Sequence, residues 1–250
     1  MYFGARAYSL DAVEFLAEAD FCFAEIDWKD PKVVIAQLTE LAALWDKHGI
    51  VYLAHGPNER NPFDVDETAA VMEPLVCDLL NLAPRLGITV FTQHLWLDSR
   101  FMSAEIIARK LDVLETWTEC AARAGVTLCI ENLSEHADHF RPAFERLPGL
   151  CLTLDLGHGA ILSCPNAAFD FIARFPNRIR HVHLHDNHGG TTVKDDLHLP
   201  IGQGSIDFAA ILRPLRAAGY DAGFSFELKT EFVEQGRAAI GEMWNAIANL

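Results

Sequence analysis

Six residues of metal-ligating or acid–base type, His55, His94, Glu131, Asp155, His183 and Glu227, each stand at or close to the end of a short run of apolar and β-branched residues. Imidazole nitrogens and carboxylate oxygens are donors that divalent cations such as zinc, manganese, cobalt or magnesium accept. Taken singly, each is an ordinary polar residue at a strand end. Together they resist that account, because a buried acid or imidazole needs a partner and the partners on offer are one another. In Leu152-Thr153-Leu154-Asp155-Leu156-Gly157-His158-Gly159, the histidine follows the carboxylate by three residues. A tight turn there can aim both at one ion or its neighbour, while a loop-bonded histidine at a helix start is the plainer alternative.

The stretch His181-Val182-His183-Leu184-His185-Asp186-Asn187 puts its three histidines on one face of a strand by alternation. They cannot all ligate one ion. His183 is the expected ligand, with His181 deeper and His185 at the rim, touching ligands or substrate. Asp196 and His198 face the same way if their segment is extended, and would then clamp an ion together. An acidic surface loop closing on Gly202 and Gly204 accounts for them equally well.

Short β-branched and aromatic runs alternate with segments of helical period, the pattern of repeated βα units and a parallel sheet. The eight strands expected are 2–8, 22–27, 50–55, 88–94, 126–131, 150–155, 179–185 and 223–227. Three helices should end in a glycine cap directly before a strand, at Gly49, Gly87 and Gly125. Asp30-Pro31 reads as an N-cap followed by a first-turn proline. Residues 103–124 carry apolar side chains at steps of three and four, from Ile106 through Trp117 to Ala121. Pro74, Pro84 and Pro214 fall inside expected helices and predict kinks or shortening. An open doubly wound sheet would want a glycine-rich loop after its first strand, and Tyr8-Ser9-Leu10-Asp11 has none. Residues 1–250 therefore read as one α/β domain, a (β/α)8 TIM barrel with its site at the strands' C-terminal ends.

Half of the 250 residues are hydrophobic, and 35 Asp and Glu against 20 Lys and Arg give a formal net charge of -15. That charge opposes nucleic acid and anionic lipid, and no run is long and apolar enough to cross a membrane. The six cysteines contain no C-x-x-C pair and read as reduced thiols of a cytoplasmic protein, an expectation the N-terminus shares in lacking a leader pattern. Lys29, Arg60, Arg100, Arg141, Lys194, Lys229 and Arg237 lie near the expected mouth. They suffice for a small anionic substrate, with Lys229 the chosen contact, although most are better read as solvated loop charges.

Nearly the whole chain resembles the xylose isomerase-like barrels, which include sugar isomerases and epimerases, inosose dehydratases and the endonuclease IV group. The resemblance is most specific at Ile130-Glu131-Asn132, Asp155-Leu156-Gly157-His158, His183 to Asn187 and Asp196 to Gly204. It implies a metal on Glu131, Asp155, His183 and Glu227. The endonuclease IV branch implies up to three zinc ions that also use His55, His94, His158, Asp196 and His198. Two readings follow. In the first, a divalent-metal-dependent isomerase or epimerase of a small sugar or sugar phosphate passes a proton between Glu131 and Glu227 across a metal-bound enediolate, with His158, His185 and Lys229 contacting substrate. In the second, a zinc-dependent phosphoester hydrolase gives the extra ligands work to do. A dehydratase is a third outcome of the same proton abstraction. No basic stripe or intercalating loop for duplex DNA is evident, so a small-molecule substrate and no nucleic acid partner are expected, and a homo-oligomer is compatible with either reading.

Overall fold

A computed structural model describes residues 2–248. Eight parallel strands close into a barrel in chain order: β1 (Tyr2–Ala7), β2 (Phe23–Asp27), β3 (Val51–His55), β4 (Val90–His94), β5 (Thr127–Glu131), β6 (Cys151–Asp155), β7 (Ile179–Leu184) and β8 (Gly223–Phe226). Each begins or ends within two residues of the expected bounds. Around them lie α1 (Leu10–Glu18), α2 (Pro31–His48), α3 (Val65–Glu67), α4 (Glu73–Leu82), α5 (Ala104–Ala124), α6 (Ala137–Arg146), α7 (Ala168–Arg174), α8 (Phe208–Ala217) and α9 (Val233–Ala248). Among the described residues no helix is long and apolar enough to cross a membrane.

Alternation along the strands divides the molecule chemically. One set, including Ala5, Ile26, Tyr52, Phe91, Ile130, Leu154, Val182 and Phe226, belongs to the apolar core packed beneath the helices. The alternate set is Arg6, Glu25, His55, Thr92, Glu131, Thr153, Asp155, His181, His183 and Ser225, all buried. Parallel strands are covered on both faces, so both sets are lost to solvent and the polar set must satisfy itself. Thr92 and Thr153 do so directly, Oγ1 to Oγ1 at 2.8 Å.

Local signals behave as their chemistry requires. Asp30 accepts from the Lys32 amide at 2.8 Å and Pro31 opens α2. Gly49, Gly87 and Gly125 cap their helices with φ of +72°, +63° and +69°. Pro74 stands at the start of α4 behind a π-turn over Thr68–Met72, and at Pro84 the helix has already tightened to a 3-10 turn. Pro214 remains inside α8, and Pro142 inside α6 is a further helical proline.

The cysteines correct the sequence reading. Cys77 of α4 and Cys120 of α5 form a disulfide with a Cα–Cα distance of 5.6 Å, while Cys22 and Cys164 are exposed rather than core thiols. Forty-three residues separate the bonded pair in sequence. Only the packing of α4 on α5 brings them together, and the reduced-thiol argument for a cytosolic location falls with it.

Candidate metal centre

The ends of β3 to β8 deliver their side chains to one place. Glu131 is the hub. Its Oε2 lies 2.8 Å from His94 Nε2 and 3.2 Å from His55 Nε2, and its Oε1 lies 3.1 Å from His183 Nδ1. His183 Nδ1 also sits 3.2 Å from Glu227 Oε1 and 3.7 Å from Asp155 Oδ2. Ligand atoms of His55, Glu131, His183 and Glu227 all fall within 4.8 Å of one another, and all four residues are buried. The structure thus brings the side chains of Glu131, Asp155, His183 and Glu227 together.

A second group adjoins it. His158, His185, Asp196 and His198 again offer ligand atoms within 4.8 Å of one another. Asp155 ends β6 and accepts from the His158 amide at 2.7 Å, so the carboxylate that faces the first group also folds the turn that aims the second. Asn132 braces this point by exchanging two hydrogen bonds with the Asp155 main chain, at 2.8 and 2.9 Å. Gly157 is required here, because a Cβ would stand 2.1 Å from the His185 ring.

Several histidines have one nitrogen committed before the other is considered. His55 Nδ1 donates to the Gly56 carbonyl at 3.0 Å, His158 Nδ1 to Asn132 at 3.0 Å and His198 Nδ1 to Glu227 at 2.9 Å. A carbonyl oxygen only accepts, so each ring keeps its proton on Nδ1 and turns Nε2 toward a carboxylate. His158 and His198 both present Nε2 to Asp196 Oδ2, at 3.2 and 3.1 Å. A lone pair facing a carboxylate is repulsive unless a cation lies between them, and that cation is either a second proton or a metal ion.

Without a metal, protons do this work at His158, His183 and His198. Burial disfavours the charge on His183, yet Glu25, Glu131 and Glu227 raise its pKa well above the ordinary value. Against the same burial, Asp155 and Asp196 raise His158, and Asp196 with Glu227 lifts His198 to about 9. Glu131 is pushed up by burial but held far below the usual carboxylate range by His183 and His94. The neutral form of His55 is favoured by burial and then by the Arg6 charge. A site that takes up protons to neutralise converging carboxylates is one in which a divalent ion can replace them. The donors fit: they are imidazole and carboxylate, and Asp155 Oδ2, Asp196 Oδ1 and both His185 ring nitrogens are buried without a hydrogen-bond partner. His185 Nε2 does lie 3.1 Å from Asp155 Oδ1, but off the line a hydrogen bond needs.

The structure corrects three expectations about these residues. His185 is fully buried, stacked on His198 at 3.9 Å, and not at the rim. Asp196 and His198 converge without an extended segment, because His198 adopts a left-handed φ of +46° that swings its ring back over Asp196. Such a conformation is uncommon outside glycine, and its two hydrogen bonds hold it. Lys229 stands exposed after β8, outside the residues lining the neighbouring cavity, and Arg237 binds the Ala19 and Asp20 carbonyls after α1, away from the mouth.

Sequence reasoning missed Arg6 and Glu25. Glu25 accepts from His181 Nε2 and His183 Nε2, each at 3.0 Å, which leaves His183 Nδ1 for the cluster. Arg6, 4% exposed, reaches Asp27 at 2.5 Å, with Glu227 3.7 Å and Glu25 3.9 Å away. A charged residue inside an apolar strand pattern was the available signal in both cases.

Comparison with known proteins identifies the fold family. Residues 5–245 match the family described as xylose isomerase-like TIM barrel. An uncharacterized protein of Methanocaldococcus jannaschii is 28% identical across 76% of this chain and 68% of its own length. A solved D-tagatose 3-epimerase-like protein superposes with a TM-score of 0.84 at 23% identity, covering 100% of this chain and 99% of that one. An L-ribulose 3-epimerase gives 0.81 at 20% identity, covering 100% and 96%. At such identities these structures speak for the fold.

Proposed function

The chain belongs to the xylose isomerase-like TIM barrel family, and on that premise we propose that it is a divalent-metal-dependent isomerase or epimerase of a small sugar. The observation that carries the reading is the meeting of Glu131 and Glu227, from strands three apart around the barrel, with ligand atoms within 4.8 Å. A purely structural metal site has no use for facing glutamates beside an open cavity, whereas proton transfer at a carbon next to a carbonyl needs a base and an acid across it. The similarity to sugar 3-epimerases supports the same class.

Glu131, Asp155, His183 and Glu227 would hold the ion. When bound, a divalent cation supplies Lewis-acid polarisation of the substrate carbonyl. One glutamate takes the proton from the neighbouring carbon and the other returns one. Burial and the Glu131 charge favour the neutral form of Glu227, but His183 and Arg6 outweigh them and hold its carboxyl below the usual value, so both glutamates are held ionised. His158, which lines the adjoining cavity, is the histidine within reach of substrate hydroxyls. Proton exchange at the substrate carbon, followed in deuterated water, tests the reading: no deuterium in any ketose or aldose tried with manganese-, cobalt- or zinc-loaded protein counts against it.

One observation favours a second reading. His158, His185, Asp196 and His198 form a further donor set that a single-ion epimerase does not need, and a zinc-dependent phosphoester hydrolase with two or three ions would use it. Elemental analysis of protein purified without chelator separates the two. Two or three tightly held zinc ions with no proton exchange would favour the hydrolase. The net charge of -15 argues against a nucleic acid substrate in either case.

A further inference from the structure

A cavity of about 610 Å³ opens directly from His94, His158 and Asp196. Its walls are largely apolar, with Trp96 and Phe101 stacked at 5.5 Å and 26°. Phe63 packs edge-on against Trp96 at 5.7 Å, and Phe63 and Phe101 are each 49% exposed. A volume of this order suits a drug-sized ligand, which is more than a free hexose fills.

The indole is held in place deliberately. Lys110 and Glu59 form a buried pair at 2.6 Å. Lys110 donates to the Trp96 carbonyl at 2.9 Å, Glu59 accepts from the Trp96 amide at 2.7 Å, and Trp96 Nε1 donates to Ser134 Oγ at 2.9 Å. Both main-chain groups and the ring nitrogen are thus fixed, which leaves the ring face as a preorganised platform.

Charge around this cavity is of the wrong sign for a phosphate. The charged groups lining it besides histidine are Glu59 and Asp196, and no lysine or arginine is among the described lining residues. Arg100, nearby, is consumed by Asp98 and by the Ser134 and Leu162 carbonyls. Barrels of this type often bind phosphate on the loops after strands 7 and 8. Here the chain's own Asp186 occupies that role after β7. It accepts from the amides of Asn187 at 2.8 Å, Gly202 at 2.8 Å and Ile206 at 3.2 Å. The fit is close enough that a Cβ on Gly204 would stand 2.2 Å from its carboxylate.

From these observations, and resting on the reading that the centre acts on a sugar, we propose that the substrate is uncharged and carries an apolar group remote from its carbonyl, a keto-glycoside or comparably substituted keto sugar rather than a sugar phosphate. The sugar lies at the metal centre and the apolar group lies on Trp96 and Phe101.

Isothermal titration of the manganese-loaded full chain with D-glucose, D-glucose 6-phosphate and 4-nitrophenyl β-D-glucoside, and with the matching galactose series, reads this preference independently of turnover. In at least one series the aryl glycoside should bind about tenfold tighter than the free sugar, and the phosphate ester no tighter than the free sugar. Trp96→Ala should reduce the aryl preference to about twofold or less, and Trp96→Phe should retain most of it. Aryl glycosides bound no better than the free sugars in both series, or a phosphate ester bound better, overturn the inference, as does a preference that survives Trp96→Ala intact. The aryl glycosides, lacking a carbonyl, report binding alone; tight aryl binding with no deuterium entering any keto sugar tried, aryl keto-glycosides included, would leave the inference standing and sink the epimerase reading, so the two failures are distinguishable.

Discussion

Glu25→Gln tests whether the cluster is held by a carboxylate outside the proposed ligand set. Glu25 is fully buried and accepts from two imidazoles at once, His181 and His183, each at 3.0 Å. The amide offers one acceptor oxygen and one donor, so one imidazole must face an N–H and turn or lose its hydrogen. If His183 turns, Nδ1 leaves its position 3.1 to 3.2 Å from Glu131 and Glu227. Loss of such an outer partner typically weakens metal binding about 10- to 100-fold, which is about 1.4 to 2.7 kcal/mol. A buried donor left unpaired costs about 1–3 kcal/mol of stability, so metal-free protein should also melt earlier. Competition titration against a zinc-binding chromophore reads the affinity, and a circular dichroism melt in chelator reads the fold. Affinity unchanged within about twofold, with the fold intact, would refute the claim that Glu25 sets the orientation of His183.

Glu131→Gln and Glu227→Gln should each lower solvent deuterium incorporation into substrate by about 10²- to 10⁴-fold with the far-ultraviolet spectrum unchanged, and exchange at the wild-type rate in either variant removes it from the proton path. Asp196→Ala removes the carboxylate shared by His158 and His198. Under the epimerase reading, elemental analysis should still find about one ion per chain, and loss of an ion that wild type holds would move the assignment toward the hydrolase. Burial pushes the Glu135 carboxyl up to about 7, despite hydrogen bonds from the Leu97 and Leu133 amides, from an ordinary 4.5. The folded state then binds more protons than the unfolded state between those values, so stability is greatest below this window and falls as pH rises through it, by about 3 kcal/mol at most. Urea unfolding at pH 5 and pH 8 should show this extra loss in wild type and not in Glu135→Gln, and an equal pH dependence in both would exclude Glu135 as its source.

The barrel was legible because its signals are local. Each βα unit carries its own apolar alternation and its own helix cap, so Gly49, Gly87 and Gly125 mark strand starts without knowledge of neighbours. The strand-end donors were legible for the same reason: closure of a barrel takes residues that end consecutive strands to one mouth wherever they lie in the chain. Glu25 and Arg6 were not, since the partners that give them meaning are His181, 156 residues away, and Glu227 at the far end of the chain. Lys110, which pairs with Glu59 of the loop after β3, was hidden inside an otherwise apolar helical stripe, and the Cys77–Cys120 pair depends on two helices packing.

From the sequence alone, therefore, come the barrel, its polarity and the stock of donors, because periodicity, capping and residue type act over a few positions. The tertiary structure alone decides which imidazole nitrogen is spent on a carbonyl, which carboxylates are left facing one another, that a left-handed His198 closes the second group, and that Asp186 fills the loop a phosphate would need. Those outcomes depend on distance and direction between groups far apart in the chain, which the order of residues does not specify until the barrel has closed.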